Sequence, residues 1–188
     1  MEVFEAIKTR RSIRHYKPAP VTEEQINLIL EAARWAPSWR NSQCWRFIVV
    51  RDAEVKRKLS ETLLYYRPGE NPSTSAVRNA PVVIVACGEL KKSGYYEKIP
   101  NPLTDKGDWY MFDVALATQN MMLAAHSLGL ATVPAGLFDA PKAAQILGVP
   151  ANIAVVMLLP LGYPDEEPEI HQRKELSGLV FYETYGQK

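Results

Sequence analysis

The stretch 109–128 constrains the fold of this 188-residue chain more than any other part of its sequence. Apolar side chains cover almost every face that a helix over these residues would have, so such a helix should be buried nearly all round. Gly129 follows it, and glycine is the residue that most often ends a helix in the left-handed region. A helix of this kind is expected to be covered by a second subunit as well as by the core of its own chain. The alternative is that it forms the central helix of a single domain.

Short strands and helices are predicted on both sides of this stretch. The β-branched run at 82–87 is the clearest strand. Further strands are predicted at 46–50, 131–135, 153–159 and, near the end of the chain, 179–182. Helices are predicted at 2–9, at 23–35 after a capping box of Thr22 and Gln25, and after the N-capping residues Asp52 and Asp139. The helix after Asp52 is expected to reach Leu63, and the helix after Asp139 to end at Gly148.

Two longer segments lack such periodicity. Residues 65–78 are rich in Pro, Gly, Ser and Asn, and they are predicted to form a mobile loop. Residues 88–107 are irregular as well, and a connection of this length inside a compact domain is usually a lid, a binding loop or an excursion. We therefore predict a flap on the substrate side at 88–107, with a plain surface insertion as the alternative.

The charge balance restricts the partners that this chain can have. It has 22 basic and 21 acidic residues, a net charge of +1, which predicts no broad nucleic-acid-binding surface. Residues 1–10 lack the apolar core of a signal peptide, and the apolar runs are too short or too interrupted to span a membrane. Cys44 and Cys87 have no metal-binding spacing and favour a reducing compartment. We expect a cytoplasmic protein without membrane contact, with a single domain over residues 1–188.

A basic cluster lies at 10–14, where the first predicted helix ends. Three arginines, Arg10, Arg11 and Arg14, each carry a planar guanidinium group that can donate hydrogen bonds to two phosphate oxygens at once. Ser12 adds a hydroxyl donor. A tightly bound phosphate monoester requires groups of this kind. A solvated basic turn is the alternative, and this stretch alone favours it.

Neutral hydrogen-bonding side chains lie between Trp39 and Trp45 in the loop at 36–45. Donors and acceptors beside large aromatic faces suit a flat heterocycle with carbonyl and imide edges. An ordinary polar loop whose tryptophans fill the core explains the same residues equally well. The loop by itself therefore leaves both interpretations open.

The sequence lacks the common motifs for nucleotide binding, metal binding and nucleophilic catalysis. No G-x-G-x-x-G follows a strand, and there is no phosphate-binding G-x-x-x-x-G-K-[ST] motif. The histidines are scattered without metal-ligand spacing, and no serine stands in a G-x-S-x-G turn. Cys44 has no neighbouring His or Lys that would activate it, so an inert thiol is expected. Such a pattern is typical of enzymes whose cofactor carries the reaction.

In their order and spacing, several motifs resemble those of the nitroreductase family of FMN-dependent flavoproteins, over nearly the whole chain. They are the segments 10–14, 36–43 with Trp45 after it, 127–130, 134–139 and 161–164, and the late Arg173. The resemblance implies an α+β fold with a central, mainly antiparallel sheet flanked by helices. It also implies an intertwined homodimer with FMN sites at the interface, in which the C-terminal strand at 179–182 adds to the partner's sheet.

The resemblance further implies which residues bind FMN. In chain order they are Arg10, Arg11, Ser12, Arg14, Pro37, Ser38, Trp39, Asn41, Gln43, Pro134, Ala135, Gly136, Leu137 and Arg173. The basic cluster and Arg173 would hold the phosphate and the ribityl chain. The loop at 37–43 would contact the flavin from the other subunit, and the backbone at 135–137 would lie along the N5 and O4 edge. No catalytic side chain and no metal are implied, because the flavin carries the chemistry.

Three positions differ from the family pattern. Cys44 stands where many members have proline, which changes the rigidity of the loop. His171 stands where a lysine is common, so that part of the positive charge at the phosphate site is either lost or dependent on pH. Gly136, which permits close backbone approach or an unusual φ, stands where some members carry a glutamate that contacts the nicotinamide. The preference between NADH and NADPH, and even the use of a nicotinamide nucleotide, is therefore left open.

The activity that the resemblance implies is a ping-pong oxidoreduction. NADH or NADPH would pass a hydride to flavin N5 and leave, and a nitroaromatic, quinone or similar small aromatic acceptor would then take its place. Two alternatives are a reductive dehalogenase or flavin-fragmenting enzyme of the same fold, and a dimer that binds FMN without turnover. The acceptor depends on the variable region at about 65–110, which carries no recognisable motif.

Overall fold

The computed structural model describes residues 1–96 and 99–187. Its α-helices are α1 (Val3–Thr9), α2 (Glu23–Arg34), α3 (Ala53–Ser60), α4 (Thr74–Asn79), α5 (Tyr110–Ser127) and α6 (Ala140–Leu147). Its strands are β1 (Trp45–Val50), β2 (Val82–Glu89), β3 (Ala131–Thr132) and β4 (Ile153–Gly162). Short 3-10 turns lie at Trp39–Asn41 and Leu176–Gly178.

The strands form an antiparallel sheet in the order β1-β2-β4-β3. β2 lies in its interior and is almost wholly buried, as its β-branched run predicts. β3 stops at Thr132, short of the predicted strand at 131–135, because Pro134 has no N–H to donate to a ladder. Ala135 then resumes the pairing in a single bridge to Leu158. The sheet and the helices around it confirm the predicted α+β fold.

Capping interactions begin α2, α3 and α6, and end α6, at the predicted residues. Gln25 N–H donates to Thr22 Oγ1 at 3.2 Å, and the reciprocal contact of the capping box is also present. Asp52 and Asp139 each accept a backbone N–H at the start of their helix, at 2.9 and 3.0 Å. Gly148 ends α6 with a φ of 65°. None of the helices in the described ranges is both long and apolar enough to cross a membrane.

Helix α5 packs one face into the core and leaves another on the surface of the chain. Its buried residues, which include Val114 and Met121, share a hydrophobic cluster with residues of α2 and the sheet. Met111 and Phe112 are each 53% exposed. The predicted burial nearly all round is therefore wrong for the isolated chain. Apolar side chains exposed on such a helix are what a second subunit would cover, so this face favours the dimer over the single-domain alternative.

Two local predictions fail because tertiary contacts override the local pattern. The loop predicted at 65–78 contains α4, which forms because Val77 is fully buried in the core. Helix α3 ends before the predicted Leu63, because Leu63 pairs with Phe138 in an isolated bridge. Propensity alone does not reveal either contact.

The predicted strand at 179–182 is also wrong for the single chain. After the turn at Leu176–Gly178, Tyr182 N–H donates to Gln187 O at 3.0 Å, so the tail makes local contacts. No strand among the described residues pairs with it, and a ladder there would need a strand from outside the chain. Strand exchange with a second subunit would supply one and stays a prediction.

Candidate functional site

The basic cluster lines a cavity of about 510 Å³ in which the two ends of the chain meet. Arg10, Ser12 and Arg14 contribute to it from the connection after α1, and Arg173 contributes from the far end of the sequence. The connection is fastened to the sheet, since Ile13 N–H donates to a β3 carbonyl at 3.1 Å. The fold therefore brings together the groups that were predicted to bind a phosphate.

Two arginines that line this cavity each have a guanidinium nitrogen that is buried without a hydrogen-bond partner among the described residues. These nitrogens are Arg10 Nη1 and Arg14 Nε. A buried polar group without a partner costs roughly 1–3 kcal/mol, and more when it is charged. Burial, and then repulsion from Arg11 and Arg173, lowers the pKa of Arg10 from its usual value. An anion with several acceptor oxygens would satisfy both nitrogens and offset the repulsion, so this donor set fits a phosphate monoester.

Arg11 differs from its neighbours because its guanidinium already has partners. Its Nη1 donates to Lys8 O at 2.6 Å and to Arg10 O at 2.8 Å. These carbonyls lie at the C-terminal end of α1, where a cation is favoured. Arg11 therefore stabilises the end of the helix and stands beside the unpartnered donors.

Glu166, from the acidic segment before Arg173, also lines this cavity. Its carboxylate accepts hydrogen bonds from the backbone N–H groups of Arg14 and His15, the second at 3.2 Å. The contact holds the segment that carries Arg173 against the basic cluster. No sequence pattern indicates it, because Glu166 and Arg14 are 152 residues apart.

The loop at 37–43 adopts an unusual backbone conformation. Arg40, Asn41 and Gln43 have φ values of 45°, 56° and 47°, in the left-handed region that residues other than glycine rarely occupy. Such a conformation costs of order 1–3 kcal/mol per residue and persists only where surrounding contacts hold it, often at a ligand site. Within the loop, Gln43 N–H donates to Ser38 Oγ at 3.0 Å.

The contacts that hold this loop converge on Asp113, in the first turn of α5. Asp113 is 1% exposed, and its carboxylate accepts hydrogen bonds from Trp39 N–H at 3.2 Å and Ser42 Oγ at 3.0 Å. It also accepts one from Ser93 Oγ, at 2.6 Å. Asp113 was not predicted, although a lone acidic residue in an otherwise apolar helix indicates a buried carboxylate with partners. It fixes the loop relative to α5 and to the segment at 88–107.

Cys44 lies beside the same carboxylate, with its Sγ 3.6 Å from Asp113 Oδ2. Burial, and then the negative charge of Asp113, raises the pKa of the thiol to about 12. A thiol with this pKa stays protonated at neutral pH and is a poor nucleophile. The expectation of an inert thiol agrees with this environment.

A second cavity, of about 600 Å³, lies between the loop and the first part of the predicted flap. Its lining residues are Trp39, Arg40, Ser42, Lys91, Lys92, Tyr95, Tyr96, Ile99 and Pro100. The fully buried Ser93 ties this part of the flap to Asp113. The flap prediction also covers residues 97 and 98, which lie outside the described residues. A segment that forms one wall of a cavity favours the flap over a plain surface insertion.

The turn that follows β3 presents backbone groups to the surface. Half-buried Pro134 leads into Ala135, which is buried and exchanges two backbone hydrogen bonds with Leu158, at 2.9 and 3.0 Å. Gly136 and Leu137 are exposed, and their N–H groups donate to no described residue. Gly136 has no left-handed φ, so the unusual φ considered above is excluded. A Cβ there would meet no atom within 4 Å, and this open space suits the close approach of a ligand.

Within one chain, the predicted cofactor residues lie in separate places. The cluster at 10–14 and Arg173 share the first cavity, whereas Trp39 from the loop at 37–43 lines the second. The two cavities have no lining residue in common. The resemblance implies that the loop contacts a flavin held by the other subunit, which would account for this separation. The roles of these residues toward FMN stay predictions.

Comparison with known proteins decides the family. The model of the nitroreductase family matches residues 7–163 of this chain. The chain belongs to the nitroreductase family. The family predicted from the motifs is thereby confirmed. The basic cluster and the loop at 37–43 lie within the matched part of this nitroreductase-family protein, and Arg173 lies beyond it.

Individual proteins show how far the similarity extends. Over 172 residues the chain is 39% identical to a Methanothermobacter thermautotrophicus protein whose name combines NADH dehydrogenase with NAD(P)H nitroreductase, and the match covers 89% of this chain and 80% of that protein. It is 29% identical to iodotyrosine deiodinase 1 of Rattus norvegicus, over 95% of this chain and 68% of that protein. The structure of an FMN-dependent nitroreductase from Clostridium difficile R20291 matches with a TM-score of 0.78 and 27% identity, over 97% of this chain and 100% of that one.

Proposed function

We propose that this nitroreductase-family protein is an FMN-dependent NAD(P)H oxidoreductase that reduces nitroaromatic, quinone or similar acceptors. The observation that carries the proposal is the pair of buried, unpartnered guanidinium nitrogens of Arg10 and Arg14, in a cavity that Arg173 also lines. A phosphate monoester fits these donors, and FMN carries one. The names of the archaeal and clostridial relatives support the same cofactor and reductant.

In this proposal the residues of the chain bind and orient the cofactor. Arg10, Arg14 and Arg173 hold its phosphate. The backbone N–H groups of the exposed residues Gly136 and Leu137 have no acceptor among the described residues and would be available to the edge of the isoalloxazine ring, where donors stabilise the negative charge that develops during reduction. FMN, when bound, supplies reversible two-electron transfer between NAD(P)H and the acceptor.

The overall reaction balances without a catalytic side chain. NAD(P)H gives up a hydride and becomes NAD(P)⁺, and water supplies one proton. A nitro group that takes both loses one oxygen as water and becomes a nitroso group, whereas a quinone becomes a hydroquinone. The lack of an acid–base pattern in the sequence agrees with this chemistry, because solvent can supply the proton.

We further propose a cytoplasmic homodimer with one FMN-binding domain over residues 1–188 of each chain. Exposed Met111 and Phe112 on α5 support it, as do the exposed Leu179 and Tyr182 of the tail, because a partner would cover these apolar groups. In such a dimer the loop at 37–43 reaches the cofactor that the other subunit binds. Each site would then be incomplete without both chains.

Steady-state kinetics test the activity. The purified holoenzyme should oxidise NADH or NADPH in proportion to added 4-nitrobenzoate methyl ester or menadione, with the parallel double-reciprocal lines of a ping-pong reaction. Both nucleotides are needed in the assay, because Gly136 leaves the preference between them open. A protein that carries FMN in full amount but oxidises neither nucleotide with any acceptor would contradict the proposal and favour the dimer that binds FMN without turnover.

Reductive dehalogenation is a second candidate, favoured by the similarity to iodotyrosine deiodinase 1 and by Tyr95 and Tyr96 in the second cavity. In that reaction two electrons and one proton replace an aryl C–I bond by a C–H bond and release iodide. Iodide release from 3-iodotyrosine by the chemically reduced enzyme, without turnover of nitro or quinone acceptors, would favour this candidate over the first.

A further inference from the structure

The second cavity, between the turn at Trp39–Asn41 and the flap, is lined by positive charge. Arg40, Lys91 and Lys92 contribute to its wall, and no carboxylate among the described residues does. Lys92 is paired with Glu89 at 3.0 Å. Arg40 and Lys91 form no ion pair with any described residue. As far as the described residues go, two cations of this wall have no ionic partner and can pair with an anionic ligand.

Arg40 is held in position by its neighbours in the chain. Its backbone is left-handed, and the flanking Trp39 and Ser42 are both hydrogen-bonded to the buried Asp113. Its guanidinium carbon lies 4.6 Å from the centroid of the Tyr96 ring, a cation–π contact. A guanidinium that lies over an aromatic ring still offers N–H donors to an anion. The cavity thus combines a positioned cation with aromatic walls.

We infer that this cavity binds the electron acceptor through a negatively charged group, so that the enzyme prefers aromatic acceptors that carry a carboxylate or a similar anion. Arg40 pairs with the anion, Lys91 adds to the positive potential, and the aromatic walls contact the ring. Trp39 is both a wall of this cavity and a predicted flavin contact, which places the acceptor beside the cofactor. The inference rests on the proposed function and names its substrate class.

The test compares 4-nitrobenzoate with its neutral methyl ester as acceptors for the holoenzyme. Arg40→Gln should lower kcat/KM for the acid by about tenfold more than for the ester, mainly through KM, since it removes a charge-assisted contact. For each acceptor, kcat/KM of the variant is divided by kcat/KM of the wild type. This ratio does not depend on how easily each nitro group is reduced. Arg40→Lys, which keeps the charge and loses the planar guanidinium, should retain part of the preference.

Two further measurements separate recognition from turnover. Quenching of tryptophan fluorescence by 4-nitrobenzoate, without nucleotide, should give a Kd that rises with salt and rises again in Arg40→Gln. Arg51→Gln is the matched control, because it removes an exposed guanidinium that pairs with Glu23 and does not line the cavity. The control should change neither the Kd nor the ratio of the two kcat/KM values.

The outcomes distinguish this inference from the proposed function. If the wild-type enzyme reduces neither acceptor, the proposed function is wrong. If it reduces both and Arg40→Gln lowers both equally, the function stands and the inference is wrong. The phosphates of NADH or NADPH are the other anions that could enter the cavity. If Arg40→Gln slows anaerobic reduction of the enzyme by the nucleotide and leaves reoxidation by 4-nitrobenzoate unchanged, the cavity recognises the nucleotide and the inference is overturned.

Discussion

Replacement of Arg14 by alanine should weaken FMN binding by about 10- to 100-fold. Arg14 Nε is buried without a partner among the described residues, and the phosphate of the proposed FMN would supply an acceptor for it. Loss of a hydrogen bond to a charged group costs about 1.5–3 kcal/mol, and each 1.4 kcal/mol is about tenfold in Kd. The dimer should also dissociate more readily, because a cofactor bound at the interface stabilises the assembly that binds it.

The measurements are the FMN content after dialysis, the Kd from titration of apoprotein with FMN, and the dimer fraction from sedimentation at several protein concentrations. Arg51→Ala is the control, since its guanidinium is exposed and pairs with Glu23 outside the cavity. An Arg14→Ala protein that keeps its full flavin at low concentration would mean that the basic cluster is a solvated turn.

Replacement of Asp113 by alanine should lower the free energy of unfolding by about 3 kcal/mol or more. The carboxylate accepts hydrogen bonds from the half-buried Trp39 and Ser42 and from the buried Ser93, and a buried donor left without a partner costs roughly 1–3 kcal/mol. The left-handed residues of the loop at 37–43 would also lose the contact that holds them. FMN content should therefore fall as well, since this loop is a proposed part of the flavin site.

Urea denaturation of the apoprotein measures this effect without the contribution of bound FMN. Asp105→Ala is the matched control, because its side chain is 82% exposed and pairs with Lys106 on the surface, so the change should stay within about 0.5 kcal/mol. Asp113→Asn keeps one acceptor oxygen and should lose less stability than Asp113→Ala. An Asp113→Ala protein within about 1 kcal/mol of the wild type would show that the loop does not depend on this carboxylate.

Features decided by neighbouring residues could be predicted from the sequence. The capping box of Thr22 and Gln25 and the cap at Asp139 need only side chains a few residues apart, and both form as expected. The β-branched run of β2 favours the extended conformation, and its apolar side chains are buried in the interior of the sheet. The family could be predicted for a different reason, since its motifs are fixed in order and spacing.

Features decided by distant residues could not be predicted in the same way. Glu166 binds the backbone of Arg14 across most of the chain, and Asp113 gathers donors from two loops. The apolar pattern of α5 predicted burial nearly all round, whereas the single chain buries one face of the helix and leaves Met111 and Phe112 exposed. The tail at 179–182 failed for the same physical reason, because a strand forms only where another strand supplies its hydrogen bonds.

The visible spectrum of the purified protein, recorded anaerobically before and after NADH and NADPH, tests the central claim most directly. We predict one bound FMN per chain, bleaching of its visible band by at least one of the two nucleotides, and recovery of the band when a nitroaromatic or quinone is added. A colourless protein that binds no added FMN, or a bound flavin that neither nucleotide bleaches, would contradict the assignment.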